Sequence, residues 1–467
     1  MVRSPGWLTR NHGNSTSPIS ARRMAISSRE FSDRMRPRVV EAFHPTRPAC
    51  TAHPLTGSVN SIMFSVEEAS AAILQRAETR AATRRGIVEA CGLVLAEDVV
   101  SDVDSPPHDK AMVDGYALMA ADLRGEIANL RVLEEVTAGS VPTQTVIAGT
   151  AIRIMTGAPI PSGANAVVMV EETRSTTNAG QDVVTIESTG IAAGANILPR
   201  ATSLRKNDTV LTSGHLLRPM EIGLLAEVGR AEVDVVPAPR VAVLATGDEL
   251  VPASESPADG QIRNSNGPLL QALVTRAGGI PRSLGIARDQ PDALLEKIKL
   301  GLHEDILLLS GGVSAGVLDL VPAALAAAGV EQVFHKVELK PGKPLWFGCL
   351  IENHHPRLVF GLPGNPVSSL VCFELFVRPA IARMSGRRAG APHHRTGLLT
   401  RGHSQRGNRP TYFPSILSEE EDRLTVSPID WRGSADQRSL VRANGLALFP
   451  AGDHDYAAGD AVLTIPL

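Results

Sequence analysis

Aromatic residues are scarce in this chain. Trp, Tyr and Phe together make up 3% of 467 residues, so its hydrophobic cores must consist mainly of Val, Leu, Ile and Ala. An excess of either charge is also missing, because 46 basic residues face 49 acidic ones and the formal net charge is -3. This balance gives no electrostatic reason to expect nucleic acid or an anionic membrane as the main partner. No apolar run is long enough to cross a bilayer, so we expect no membrane association.

Cysteine is equally rare. The chain has four of them, Cys50, Cys91, Cys349 and Cys372. None lies in a CxxC or zinc-type spacing, so we expect reduced thiols and a cytoplasmic location.

Two kinds of ligand-binding motif are also missing. The phosphate-binding loop pattern GxxxxGK[ST] is absent, which disfavours a standard nucleotide triphosphatase. The pairs His354-His355 and His393-His394 have no further ligand at a sensible spacing, and we interpret them as solvated side chains.

The first 62 residues differ from the rest of the chain. They contain nine Arg, no Lys and three acidic residues among many Ser, Thr and Pro, and this composition predicts disorder. They also lack the apolar stretch of a secretory signal. Ordered patterning begins at Met63, and Ser65–Glu68 has the sequence of a helix capping box. Two interpretations stay open: Met63 is the true start of the protein, or residues 1–62 are a transit peptide.

The remaining chain divides by its hydrophobic periodicity. We predict a helix and a strand over Ile87–Val100, an all-β module over about residues 110–204, and a helix over Met220–Val228. From Val241 to Met384, buried strands alternate with amphipathic helices, which indicates a mostly parallel sheet covered on both faces. Short strands return over Pro410–Leu467 and predict a small β module.

Three strand-to-helix turns in the α/β segment carry glycine. In a sheet of this kind, ligands bind beyond the carboxyl ends of the strands. Glycine lets the backbone approach a ligand, and free N–H groups at a helix start attract phosphate oxygens. Any one such turn is equally typical of a tight connection, but three on one edge favour a site for a phosphate-bearing molecule. The turns are Thr246–Leu250, Ser310–Gly316 and Gly361–Ser368.

A fourth turn, Lys336–Pro344, carries three lysines and is stiffened by Pro and Gly. We predict a hairpin over Val337–Phe347, and strand spacing would then point Lys336 and Lys340 to the same face. Lysine is a point charge suited to phosphate or another oxyanion. The turn therefore predicts additional anion binding, with a solvated hairpin as the alternative.

Acidic residues accompany these anion-binding turns. Asp114 lies in the β module, and Glu249, Asp289 and Asp319 lie in the α/β segment. Carboxylates repel phosphates unless a hard cation lies between them, and Mg²⁺ is commonly bound by one or two carboxylates plus phosphate oxygens. The sequence therefore predicts a magnesium site. The alternatives are that Asp319 is a plain helix N-cap and that Asp289 is a loop acid.

Six motifs together carry a resemblance to a known family. From Met63 to Leu467 the chain resembles molybdopterin molybdenumtransferase, the molybdenum insertase family. The motifs occur in the same order as in that family, which makes chance agreement a poor explanation. They are Ala111–Ala117, Met155–Pro159, Thr246–Leu250, Ser310–Ser314, Lys340–Pro344 and Gly361–Ser368.

The resemblance implies a multidomain α/β plus β fold. Its parts are a central three-layer α/β pterin-binding domain, an inserted β domain and a C-terminal small β-barrel. A homodimer is implied, with the molybdopterin adenylyltransferase and molybdoenzyme apoproteins as further partners. The expected boundaries are 63–106 plus 206–238 for an elongated domain I, 107–205 for domain II, 239–385 for domain III and 386–467 for domain IV.

The implied reaction joins molybdate to adenylylated molybdopterin and releases AMP with Mg²⁺. By the same resemblance, Asp114 and Thr156 belong to the catalytic site and come from the β domain of the partner subunit. Because a phosphoanhydride must be cleaved, we assign metal and pyrophosphate handling to Glu249, Asp289 and Asp319. The residues expected to hold the substrates are Gly247, Ser310, Gly311, Gly312, Ser314, Lys336, Lys340, Lys343, Pro363, Gly364, Asn365, Pro366, Ser368 and Ser434.

The chain departs from the family pattern at several charged positions. Val113 is inserted directly before the Asp-Gly-Tyr core at Asp114, and Pro414 lies where the family commonly has Arg. These departures affect the expected metal and molybdate ligands more than the expected fold. Positions where the family commonly has an acid are Thr202, Ser203, Gln290 and Val317.

Two other functions stay open at this point. The α/β segment alone also resembles the molybdopterin adenylyltransferase, although that enzyme lacks the two upstream motifs. A catalytically weakened scaffold protein of the same fold is the second alternative, because several acidic positions are lost.

Overall fold

The computed structural model describes residues 63–467 except 179, 188–189, 314–319, 353–354, 388–393 and 421. The extension 1–62, for which the composition predicts disorder, lies outside these residues. The predicted site residues Ser314 and Asp319 lie outside them too, as do Val317, His354 and His393. Among the described residues, no helix is long and apolar enough to cross a membrane.

The first helix, Val66–Arg76, begins at the predicted capping box. The Glu68 backbone N–H donates to the Ser65 hydroxyl at 3.1 Å, and the Ser65 N–H donates to the Glu68 carboxylate at 2.8 Å. These two bonds satisfy donors that a helix start leaves without partners. The buried face of the helix, at Ala69 and Ile73, joins the same hydrophobic core as the α/β segment.

A small antiparallel sheet follows the first helix. It consists of Thr83–Gly86, Glu232–Val236 and Val94–Leu95, and Val99–Val100 pairs separately with Thr209–Leu211. The helix Pro219–Glu227 matches the predicted one. The helix predicted within Ile87–Val100 is wrong, because only turns precede these short strands, and Gly92 there has φ +84°. Such a backbone conformation cannot continue a right-handed helix.

The inserted module is all-β, as predicted. Its one parallel pair joins Ala128–Val136 to Thr150–Ile154, and every other pairing in its six-stranded sheet is antiparallel. A separate pair joins Lys110–Ala111 to Ile197–Leu198. Short 3-10 helices occur at Ala120–Leu123 and Val170–Glu172. The sheet order is Ala166–Met169, Gly115–Leu118, Thr150–Ile154, Ala128–Val136, Gln181–Ile186 and Thr173–Asn178.

The α/β segment has a six-stranded sheet whose first four strands are parallel and whose last two are antiparallel to their neighbours. Along its second strand, Val241 and Val243 enter one core, whereas Ala242 and Leu244 enter the other. This alternation confirms the predicted three-layer arrangement, because successive strand residues point to opposite faces. The strand order is Ile280–Ala287, Arg240–Thr246, Ile306–Ser310, His355–Leu362, Trp346–Glu352 and Glu331–His335.

Helices cover both faces of this sheet. The last helix, Pro366–Cys372, continues through a π turn at Phe373–Val377 into Arg378–Met384. Beyond the sheet, Leu250–Val251 pairs in parallel with Ile262–Arg263. The other helices are Asn266–Arg276, Pro291–Gly301 and Leu320–Ala327.

The hairpin predicted over Val337–Phe347 is displaced in the structure. The antiparallel pair is Glu331–His335 with Trp346–Glu352, and the chain between these strands is irregular. Lys336 has φ +82°, and the Lys340-Pro341 peptide bond is cis. The expectation that strand spacing places Lys336 and Lys340 on one face is therefore wrong, because these residues do not form a strand.

The C-terminal region is a closed five-stranded barrel, which confirms the expected small β-barrel. His403–Gln405 and His454–Tyr456 form an additional pair, and a short helix covers Gln437–Leu440. Aromatic rings gather in the barrel, where His403 stacks on Phe449 with ring centroids 3.9 Å apart. The barrel strands are Arg395–Leu399, Arg423–Pro428, Thr411–Glu420, Gly445–Phe449 and Ala461–Pro466.

Candidate active site

The carboxyl ends of three parallel strands lie side by side. Ala245 pairs with Ser310, and Ser310 pairs with Leu362, so the turns that follow these strands share one edge of the sheet. Beyond that edge is a cavity of about 310 Å³, which we call the strand-end cavity. Its lining includes Thr246, Glu249, Asn266, Ser310, Gly311, Gly364, Asn365 and Pro366.

Two of the predicted glycines are favoured by their positive φ angles and by the close contacts that a side chain would make. Gly311 has φ +96°, and a Cβ there would lie 2.6 Å from the carbonyl oxygen of Thr246. Gly247 has φ +147°, and a Cβ there would overlap the carboxylate of Glu249. Larger residues would therefore push apart the backbone and the carboxylate that border the strand-end cavity.

Asn266 is a site residue that sequence reasoning missed. Its side-chain N–H donates to the Ser310 hydroxyl at 2.8 Å and to the Gly364 carbonyl at 2.7 Å, so it joins two of the glycine turns. Its own Oδ1 and the Oγ1 of Thr246 are buried without a hydrogen-bond partner in the described part of the chain. Unsatisfied polar atoms are costly in a protein interior, and here they border a cavity. The available signal was an Asn at a helix start that follows the first turn.

The lysine turn lies at a second cavity of about 620 Å³, between the α/β domain and the barrel. We call it the cationic cavity, because its described lining contains four basic residues and no acidic one. Lys336 is not part of the lining of either cavity, contrary to the role expected for it, whereas Pro363 and Ser368 line the cationic cavity as expected. The basic residues are Lys340, Lys343, Arg409 and Arg432.

Asn365 contacts both cavities. Its side-chain N–H donates to the hydroxyl of Ser434 at 3.0 Å, and the Val367 backbone N–H donates to the Ser434 carbonyl at 3.1 Å. These bonds attach the barrel loop to the start of the helix Pro366–Cys372. The expected approach of Ser434 to the site is thus present within one chain.

Backbone hydrogen bonds hold Lys340 at the domain junction. Its N–H donates to the Pro410 carbonyl at 2.9 Å, and the Tyr412 N–H donates to the Lys340 carbonyl at 2.8 Å. Burial lowers the pKa of His403 in the barrel, and the charges of Arg401 and Lys340 lower that pKa further. Pro414, which lies where the resemblance expected an arginine, is buried in the barrel and does not line the cationic cavity.

The predicted acidic residues are only partly brought together. Glu249 lines the strand-end cavity. Asp289 lines neither cavity, but its backbone N–H donates to the Asp248 carboxylate at 3.1 Å, which places it beside the first turn. Within the described ranges, no group of three or more His, Cys, Asp or Glu side chains is arranged to hold a metal ion. The third predicted acid, Asp319, lies outside those ranges.

Asp114 and Thr156 lie together in the β module although 42 positions separate them. The Thr156 backbone N–H and hydroxyl each donate to the same Asp114 oxygen at 2.7 Å. These two hydrogen bonds hold the pKa of the Asp114 carboxyl below its usual range, so it is ionised at neutral pH. The inserted Val113 has therefore not separated Asp114 from Thr156. Neither residue lines the two cavities within this chain.

Replacing Thr156 by valine is expected to reduce turnover about tenfold, because the Asp114 carboxylate loses one of the two donors that orient it. The backbone donor remains, so the fold should persist. Thr156→Ser keeps the hydroxyl and is the matched control, which should retain activity. Steady-state turnover is measured for both variants, and equal loss in Thr156→Val and Thr156→Ser would contradict an orienting role for the hydroxyl.

The fold and the two cavities define a class of multidomain proteins in which a three-layer α/β domain and a small β-barrel form a cation-rich junction. Family models match nearly the whole described chain. Residues 64–229 match the MoeA N-terminal region (domain I and II), residues 242–383 match a probable molybdopterin binding domain, and residues 396–467 match the MoeA C-terminal region (domain IV).

Relatives and solved structures agree with these matches. A molybdopterin molybdenumtransferase of Staphylococcus aureus (strain MRSA252) is 33% identical over 405 residues, covering 85% of this chain and 94% of the relative. The enzyme of that name from Bacillus subtilis (strain 168) is 32% identical over 373 residues, covering 79% and 86%. The crystal structure of a molybdopterin biosynthesis MoeA protein from Pyrococcus horikosii has a TM-score of 0.72 and 29% identity, covering 87% and 99%.

The chain belongs to the molybdopterin molybdenumtransferase family. It is an enzyme of this kind, with a role in molybdenum cofactor biosynthesis.

Proposed function

We propose that this protein inserts molybdate into adenylylated molybdopterin and releases AMP. The observation that carries the proposal is the pair of cavities that meet at Asn365. One is cationic and free of acidic residues in its described lining, and the other is bordered by glycine turns, hydroxyls, Glu249 and Arg263. Two adjacent cavities can hold two substrates close enough to react with each other.

Molybdate is assigned to the cationic cavity. A tetrahedral dianion needs positive charge and hydrogen-bond donors. Lys340, Lys343 and Ser368 provide both from the α/β domain. The cationic cavity is therefore the better place for a small oxyanion than the strand-end cavity, whose described lining contains one basic residue, Arg263, and one acidic residue, Glu249.

The adenylylated molybdopterin is assigned to the strand-end cavity. Bare glycine backbone and the start of the helix Asn266–Arg276 suit its phosphates there. Pro366, the first residue of the helix Pro366–Cys372, also lines this cavity. Proline suits a first helical position, because its missing N–H is not needed there. The boundary between the two substrates is assigned to Asn365 and Ser434, which are hydrogen-bonded to each other.

We propose Mg²⁺ as the metal cofactor, and the residues present fit it in part. The Glu249 carboxylate lies so close to Gly247 that a Cβ at that position would overlap it, which leaves the carboxylate at the edge of the strand-end cavity. Mg²⁺ commonly takes one or two carboxylates and completes its shell with substrate phosphates and water. Glu249 would hold it there, with Asp289 and Asp319 as the further ligands that the resemblance implies. When bound, the ion neutralises phosphate charge.

The chain's own residues have separate roles in the proposed reaction. Lys340 and Lys343 bind and orient the oxyanion, while the Asn266 amide holds the Ser310 and Gly364 turns in place around the second substrate. Water cleaves the phosphoanhydride, so that AMP leaves and the pterin keeps its own phosphate. The two dithiol sulfurs replace one oxygen of molybdate, which leaves as water with the two thiol protons, and molybdenum keeps its oxidation state.

A homodimer is part of the proposal. Asp114 and Thr156 are proposed to come from a partner subunit, because neither is among the described residues that line the strand-end cavity or the cationic cavity of its own chain. The molybdopterin adenylyltransferase, which would deliver the substrate, and molybdoenzyme apoproteins, which would accept the product, are the proposed protein partners. A cytoplasmic location is proposed as well, because the four scattered cysteines are typical of a reducing compartment.

The direct test incubates the full chain with adenylylated molybdopterin, molybdate and Mg²⁺ and measures AMP by chromatography. AMP release that depends on molybdate is the expected result. Formation of adenylylated product from molybdopterin and ATP would instead support the adenylyltransferase alternative. A folded protein that releases no AMP, and that fails to restore molybdoenzyme activity in an insertase-deficient strain, would support the scaffold alternative.

Asp289→Ala is expected to lower AMP release about tenfold at limiting Mg²⁺, equivalent to about 1.4 kcal/mol of activation free energy. The loss should shrink at saturating Mg²⁺, because a weakened metal site fills at higher concentration. Asp292→Ala, an exposed acid in the first turn of the next helix, is the matched control. Unchanged release by Asp289→Ala at limiting Mg²⁺ would remove Asp289 from the metal site.

A further inference from the structure

The four basic residues of the cationic cavity come from two domains. Lys340 and Lys343 belong to the α/β domain, whereas Arg409 and Arg432 belong to the barrel. A ligand held between them therefore contacts both domains. The sequence motifs pointed only to the lysines, and the packing of the barrel against the α/β domain adds the two arginines.

The two arginines differ in how they are held. Arg409 donates through Nη1 to the Leu339 carbonyl at 2.9 Å, which ties its guanidinium to the α/β domain. Arg432 is exposed, and its guanidinium has no hydrogen-bond or ion-pair partner in the described part of the chain. Its backbone is held, because its N–H donates to the Asp436 carboxylate at 3.1 Å. That carboxylate is itself engaged by the Ser439 N–H and hydroxyl.

Contacts made by its sequence neighbours hold the backbone of Arg432 in place. Trp431 packs edge-on against Phe413 with ring centroids 5.1 Å apart, and both rings line the cationic cavity. On the other side, Ser434 is bound to Asn365. An anchored backbone thus carries this guanidinium at the rim of a cavity that lacks acidic residues in its described lining. Its charge also attracts the Asp436 carboxylate, but without a direct hydrogen bond from the guanidinium or an ion pair in the described part of the chain.

We propose that Arg432 is a specificity-determining residue that makes the cationic cavity selective for doubly charged tetrahedral oxyanions. This inference rests on the proposed function, since molybdate is the dianion concerned. Each cation attracts a dianion about twice as strongly as a monoanion of equal size. A planar guanidinium can also donate two parallel hydrogen bonds to an oxyanion, which lysine cannot do.

The test compares two probes of similar tetrahedral shape but different charge, molybdate and perrhenate, by calorimetric titration of the full chain. Arg432→Gln is expected to weaken molybdate binding about tenfold and perrhenate binding about threefold, because the dianion loses more Coulomb attraction. Arg432→Lys should recover part of the selectivity, since it restores charge without the planar fork. Arg442→Gln, an exposed arginine of the same domain outside the cationic cavity, is the matched control.

Thermal unfolding of each variant checks that the fold is retained. Equal molybdate affinity in wild type and Arg432→Gln, or equal losses for both probes, would overturn this inference while leaving the proposed function standing. A wild-type chain that is folded but binds no molybdate would overturn the assignment of the cationic cavity, and this inference with it. A loss in Arg442→Gln as large as in Arg432→Gln would show a general charge effect and would also overturn it.

Discussion

Lys340→Gln is expected to reduce AMP release about tenfold to hundredfold at subsaturating molybdate. A hydrogen bond to a charged group contributes about 1.5–3 kcal/mol, which corresponds to that range of rates. The side chain lines the cationic cavity, and its backbone is bonded on both sides to the barrel. The loss should appear mainly as a higher KM for molybdate, because the substitution removes binding charge.

Two other lysines make this result specific. Lys299→Gln removes an exposed charge from the helix Pro291–Gly301 of the same domain and should leave KM unchanged. Lys336→Gln should have only a small effect, because Lys336 lines neither cavity. A KM for molybdate that responds equally to all three substitutions would contradict a local role for Lys340.

Glu374→Ala is expected to destabilise the α/β domain by about 3 kcal/mol, at the low end of the range for a broken buried ion pair. The Glu374 side chain is 1% exposed and is bonded to Arg276 and Arg378. It joins the helix Asn266–Arg276 to the π turn Phe373–Val377. Both arginines are partly exposed, so water can reach them after the substitution and limits the loss.

Chemical denaturation followed by the fluorescence of the buried Trp346 measures this loss. Glu296→Ala, an exposed glutamate on the helix Pro291–Gly301, is the control and should change the free energy of unfolding little. A Glu374→Ala midpoint equal to that of Glu296→Ala would mean that the buried carboxylate does not stabilise the domain.

Much of the fold could be predicted, because it follows from local rules. The capping box at Ser65 and Glu68 and the alternation of buried strands with helices agree with the structure. For the C-terminal region, local patterns predicted short strands, and their closure into a barrel was implied by the resemblance. The wrong predictions of secondary structure lie at residues whose backbone angles interrupt a helix or a strand. The positive φ of Gly92 and of Lys336 ended a predicted helix and a predicted strand, and hydrophobic periodicity does not report such angles.

By itself the sequence determined the three glycine turns and their order, and in the first two of them a Cβ at Gly247 or Gly311 would meet a carboxylate or backbone. The sequence also identified the lysines as candidate anion-binding residues and the carboxylates as candidate metal ligands. Which of them share a site was decided by the tertiary structure, which unites Asp114 with Thr156 and Asn365 with Ser434 across long stretches of chain. Packing within the α/β domain brings Asn266 to the site, and packing of the barrel against that domain brings Arg409 and Arg432. Proximity of residues that are distant in sequence depends on such packing rather than on local pattern.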